Sequence, residues 1–332
     1  MVSRKEMAQE VSVTNGATSA PLPASKLPAV LRFPLLAILS LSASYFGTSL
    51  AVGITGYELA SVSRSLNEPW QIGAVLGWKV FELAVGWFGR YDYQDVAALM
   101  TLSHLPFHYL LATCYGVSHT TSIIALAIDV LSNVIPFALL CPRSQIHNAN
   151  APKAAVPNRA VIHNYGVTAS SALLGAAVYA VTVYAAYYSY LPVYLIVHFD
   201  GLRSLARVHD ATATTLLLPF LPLGWAASHF LFSASAGASH KNLRDIRREA
   251  FNPATATLGE TVAHNLWGHS KRSKVLINRT VTLMLFSAAN IWFRTFVTVE
   301  GTDAPGAAGW ASVWAAAAAL TGVAYEWLGR AT

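Results

Sequence analysis

Runs of apolar residues about as long as a bilayer core, separated by short loops, constrain this chain more than any other feature. Crossing a ~30 Å hydrocarbon layer takes ~20 helical residues. Runs of about that length fall at 33–55, 72–89, 96–116, 120–141, 164–186, 211–234, 275–299 and 307–328. In lipid every backbone N–H and C=O must be paired within the protein, and runs this long pair theirs as helices. The composition agrees: 54% of the 332 residues are hydrophobic and only 11% are charged, against roughly 25% charged in soluble domains. The expected fold class is all-α, a polytopic transmembrane helix bundle of about eight spans. Residues 1–30, rich in Ser, Ala, Thr and Pro, read as a disordered cytosolic tail. Residues 31–332 read as a single transmembrane domain with a cytosolic basic loop at 235–274.

One apolar stretch is left over. Residues 189–199 run into His198-Phe199-Asp200-Gly201-Leu202-Arg203, and a full crossing there would carry charge into lipid at ~2.5 kcal/mol or more per ion. A short re-entrant or interfacial helix near 189–210 is expected instead. The positive-inside rule favours this choice. With eight spans, sixteen Lys and Arg residues fall on the side of both termini, three (Arg64, Arg203 and Arg207) on the other, and Lys79, Arg279 and Arg294 within spans. Both termini are then cytosolic. The tail lacks an apolar core followed by a cleavage site, so the first span serves as an uncleaved anchor and the protein is expected in the endoplasmic reticulum or another endomembrane.

Within the spans, Gly73 and Gly77 form a GxxxG and residues 315–319 an alanine-rich stripe, both expected to let helices approach closely. Trp70, Trp87, Trp292 and Trp310 fall near span ends, where aromatic belts anchor helices.

Ionisable groups inside spans are costly and mark interior positions. Lys79 and Glu82 share one helical face; Asp129 lies near mid-depth; Arg294 and Glu326 lie toward opposite sides of the last two spans. These groups either neutralise one another and fix helix registry, or line a polar cavity in which a desolvated carboxyl acts as a general acid. Glu82 and Asp129 are the candidate acids. Asp200 is a third, expected to be buried at the end of the apolar run 193–199.

Other chemistries lack their signatures. His104 and His108 stand one turn apart, but no HxxHH box accompanies them, and a di-iron site needs several such boxes. Asp92-Tyr93-Gln94-Asp95 is a bare DxxD with no second aspartate motif for magnesium and diphosphate. No GxSxG, HExxH or Walker lysine is present. No cofactor and no metal is expected. The basic residues form no aromatic-interleaved surface for nucleic acid. Those of 241–249 and 265–272 instead suit anionic lipid headgroups.

An aromatic-rich bundle with 14 Tyr, 14 Phe and 9 Trp around a few isolated acids resembles the small integral-membrane terpene cyclases of meroterpenoid pathways. The resemblance covers most of 33–328 and is one of size, span content and residue type. It implies a metal-independent, acid-initiated carbocation cyclisation of a prenylated, hydrophobic small-molecule substrate in secondary metabolite biosynthesis. Glu82 or Asp129 would then be the proton donor and Asp200 the second acid. The alternatives are a transporter or channel for a small solute or lipid, and a non-catalytic membrane scaffold.

Overall fold

A computed structural model describes residues 28–152, 155–156, 158–238, 251, 255–267 and 270–331. The expected tail up to residue 27 and the basic stretch 241–249 lie outside the described residues. Among the described residues the protein is 78% helix and has no strand. Its longer helices, in chain order, are α1 (Ala29–Ala60), α2 (Pro69–Phe88), α3 (Tyr93–Cys114), α4 (His119–Leu140) and α5 (Tyr165–Tyr188). After these come α6 (Leu191–His198), α7 (Leu221–Ala227), α8 (Leu258–Trp267), α9 (Lys271–Thr298) and α10 (Ala304–Ala331). Local chemistry starts several of them. The side chains of Asp92, Ser118, Asn164 and Ser270 accept hydrogen bonds from first-turn N–H groups of α3, α4, α5 and α9. Pro69 opens α2, where its missing N–H costs nothing.

Among the described residues six helices are long and apolar enough to cross a membrane: α1, α3, α4, α5, α9 and α10. Two expected spans take another form. Residues 72–89 fall in α2, a 20-residue helix that carries Lys79 and Glu82. Residues 211–234 are not one helix. A short turn over Ala213–Leu217 precedes α7, which continues through a π-helical segment, Ser228–Ser233, into Ala234–Gly237. Pro219 and Pro222 have no N–H to give an unbroken ladder there. The leftover apolar stretch forms α6, only eight residues and about 12 Å long, far short of a crossing.

The loops gather at two ends of the bundle. At one end the N–H of Arg64 donates to Thr298 O (2.8 Å), that of Ser118 to Glu58 Oε2 (2.8 Å), that of Arg203 to Cys114 O (2.9 Å) and that of Asp200 to Gly301 O (2.8 Å). Gly201 and Gly301 both hold positive φ (77° and 72°) at this crossing of two loops, a conformation that glycine adopts without a side-chain clash. At the other end Ser144 N–H donates to Asp92 Oδ2 (3.0 Å) and Arg272 Nη1 to Gly329 O (2.7 Å).

Helix α3 is the centre of the bundle: 83% of its apolar 18-residue stretch is buried, against 22% for those of α1 and α4. It packs on α4, α9 and the α7 segment, and it carries the buried Asp95, Ser103, His104, His108 and Thr113. The alanine-rich stripe does hold helices together, since Ala317 and Ala318 are fully buried and a Cβ at Gly322 would stand 2.5 Å from Thr280 of α9. The GxxxG of α2 does not. Gly73 and Gly77 face open space, because α2 meets its neighbours through Trp78, Glu82 and Gly86 on another side. Trp310 is also not an anchor at a membrane surface: it is fully buried against Trp314, whereas Trp70 is 70% exposed.

Candidate functional site

The interior of the bundle holds two linked polar groups and a third at one end. In the first, Glu82 of α2 lies 3.5 Å from Lys79 and 3.3 Å from His104 Nε2 of α3. Asn133 of α4 donates to Glu82 (3.4 Å) and accepts from Ser40 of α1 (3.1 Å). Asn290 of α9 accepts from the Trp78 indole (2.8 Å) and donates to Ser103 O (3.3 Å). Five helices thus meet on groups that each need a partner once out of water. The second group is one turn further along α3. Asp129 of α4 pairs with Arg294 of α9 (2.6 Å) and with His108 (2.8 Å), and the guanidinium lies 4.9 Å from the centre of the Phe107 ring. Asn133, which also donates to Asp129 O (3.2 Å), joins the two. A cavity of about 210 Å³ opens beside the second group, lined by Thr48, Thr55, Phe107, His108, Asp129 and Arg294 among others.

Glu82 and Asp129 therefore stand together, each within an ion pair. Asp200 does not join them. It is exposed in the loop after α6 and held through its backbone at Gly301, so the expected burial by 193–199 is wrong. That run forms a short helix whose Val193, Ile196 and Val197 face outward. His104 and His108 are cavity and packing residues, each against a carboxylate, and they share no common ligand geometry with a third histidine among the described residues.

Sequence reasoning left Arg279 without a partner and did not consider His147. In the structure Arg279 of α9 makes a two-pronged pair with Asp95 of α3 (2.5 and 2.9 Å) and donates to Phe230 O (3.0 Å). Its guanidinium lies between the rings of Tyr91 and Phe230, 5.1 and 4.9 Å from their centres. One turn before Asp95, the N-cap Asp92 accepts from His147 Nδ1 (2.7 Å) and from the N–H groups of Gln94, Asp95 and Ser144. Burial alone would push the Asp92 carboxyl up, but His147 and these N–H groups outweigh it and hold it below the usual carboxylate range. Burial likewise pushes His147 down, and the two aspartates outweigh it in turn, so the ring holds its proton more firmly than a free imidazole. An arginine inside a span needs a carboxylate, and this was the signal for Asp95.

These pairs cross a boundary in the chain. Arg279, Asn290 and Arg294 belong to the part that begins at the α5 N-cap, while Asp95, His104 and Asp129 precede it. Residues 164–328 match the family model of the Bouquet formation protein 3 C-terminal domain. No curated protein and no solved structure matches the chain. The matched family is not one of terpene cyclases, and the resemblance to those enzymes is overturned. With it go the acid-initiated cyclisation of a prenylated substrate and the place in secondary metabolism. Size, span content and aromatic richness are properties that any packed membrane bundle shares, so they could not separate the two families.

Proposed function

We propose that this protein is a non-catalytic membrane scaffold that serves bouquet formation, the gathering of meiotic telomeres at the nuclear envelope. The match over 164–328 carries this reading. The interior supports it: among the described residues Glu82, Asp95, Asp129, Arg279, Arg294 and Glu326 all have polar or charged partners on other helices, and Lys79 pairs with Glu82 on its own helix. In this reading Glu82 and Asp129 set helix registry and do no proton chemistry. The chain crosses the envelope eight times, the six long helices being joined by α2 and by the broken segment 213–237. Both termini and the loop 235–274 lie on the cytosolic or nucleoplasmic side, with that loop's basic residues against anionic headgroups. The segregation of loops to two ends supports that topology.

The test is a deletion strain imaged in meiotic prophase with fluorescent telomeres and a tagged copy of the protein. Telomeres should scatter, and the tag should outline the nuclear envelope. Normal clustering in the deletion strain would refute the reading. A second arm tests topology: cysteines placed at Arg203 and Lys241 should label from opposite sides of sealed vesicles, and labelling from one side would rule out eight crossings.

A further inference from the structure

The end of the bundle that carries the loops 89–92 and 141–164 holds a group of side chains, apart from the Glu82 and Asp129 groups, in which only Asp95 takes part in an arginine pair, with Arg279. Asp92, Asp95 and His147 are all buried, and each offers one ligand atom within 4.8 Å of the others'. Clustered acids alone would mean little, but His147 adds an independent observation. Its Nδ1 is committed to Asp92 Oδ2 at 2.7 Å. Its other ring nitrogen, Nε2, is buried, has no hydrogen-bond partner, and lies 4.0 Å from Asp95 Oδ1. A ring 93% buried that leaves one nitrogen unsatisfied beside a carboxylate is a cost, unless something sits between them.

We propose that Asp92, Asp95 and His147 form a zinc site, with His147 Nε2 and the Asp95 carboxylate as direct ligands and Asp92 orienting the imidazole. Zinc bonds to nitrogen and oxygen are each about 2.0–2.1 Å, so an ion placed between two donors spans a gap of up to about 4.1 Å, and a tetrahedral angle needs about 3.4 Å. The observed 4.0 Å closes to that with a shift of roughly half an ångström. The Asp92–His147 bond is the arrangement in which a carboxylate fixes the tautomer of a zinc-ligating histidine and raises its basicity. His229, on the π-helical segment, has its ring 6.5 Å from that of His147 and offers a further nitrogen. Mixed imidazole and carboxylate donors without thiolate suit zinc better than the hard cations magnesium and calcium.

Arg279 limits the affinity. It occupies one lone pair on each Asp95 oxygen and cancels one of the two carboxylate charges, so the site exchanges zinc and yields it to chelators. The ligands come from α3, from the loop that joins the two parts of the chain and, with His229, from the matched part. Zinc here would clamp those parts together at the end of the bundle opposite Asp200, whether or not the protein serves bouquet formation.

The experiment uses the full chain in detergent micelles, stripped with EDTA and then brought to equilibrium dialysis against zinc chloride, with metal counted by mass spectrometry. Wild type should take up about one equivalent, and His147→Gln, whose amide can still donate to Asp92, should lose at least about 10-fold in affinity. Uptake well below one equivalent by wild type, or equal binding by the variant, overturns the proposal. Should the variant fail to elute as a folded species, X-ray absorption of zinc-loaded wild type decides. Imidazole and oxygen scattering with no sulfur supports the site, and a shell without imidazole overturns it.

Discussion

Asp129 and Arg294 show how a single residue pair works in this interior. Both side chains are about one-fifth exposed, and His108 is the further polar partner of Asp129. Removing one charge leaves the other without its partner, which typically costs about 3–5 kcal/mol, whereas replacing both with apolar groups of similar size is often neutral. Asp129→Leu should therefore lower the thermal unfolding midpoint in detergent sharply, and Asp129→Leu combined with Arg294→Met should restore most of it. Under the proposed scaffold role, the double variant should still support telomere clustering. A folded double variant that fails to cluster telomeres would mean that the pair has a role beyond registry.

At the scale of elements, close approach is concentrated where glycine touches backbone. A Cβ at Gly224 would meet the Ala172 carbonyl oxygen and come within 2.5 Å of the Ala176 nitrogen, so the α7 segment lies directly on α5. Backbone cannot swing aside as a side chain can, and overpacking costs at least ~1–3 kcal/mol. Gly77 meets nothing within 4 Å. Gly224→Ala should abolish the folded peak in gel filtration, while Gly77→Ala should leave it intact, with a helix-propensity gain of up to ~1 kcal/mol. Loss of the peak from Gly77→Ala would show that α2 uses this face in a contact with another chain.

For the whole molecule, the boundary at residue 164 is one of sequence match and not of folding. Helix α9 of the matched part lies against α3, and Arg279 and Arg294 find their carboxylates only in the preceding part. Residues 164–332 expressed alone should aggregate on solubilisation, since two largely buried guanidiniums would lack their carboxylate partners. Co-expression with residues 1–163 should recover a single species that contains both pieces. A monodisperse 164–332 fragment with an unfolding midpoint like that of the full chain would contradict this account.

The helical class and the positions of the six membrane-length apolar helices were legible in the sequence, because they depend on run length, which needs no tertiary partner. Residues of one ion pair were legible too: Lys79 and Glu82 are three apart on one helix. The other pairs were not, since Asp95 and Arg279 are 184 residues apart and only helix packing brings them together. The unbroken span expected at 211–234 failed because hydropathy averages over Pro219 and Pro222, whose missing N–H groups act locally on the backbone. Burial of Asp200 failed because an apolar run next to a residue says nothing about which way the loop turns. The terpene-cyclase resemblance failed for a related reason: an acid in a span is compatible with catalysis or with registry. Only the tertiary structure, by supplying Arg294 and His108 to Asp129, and Lys79 and His104 to Glu82, shows a physical reason for acids at those positions.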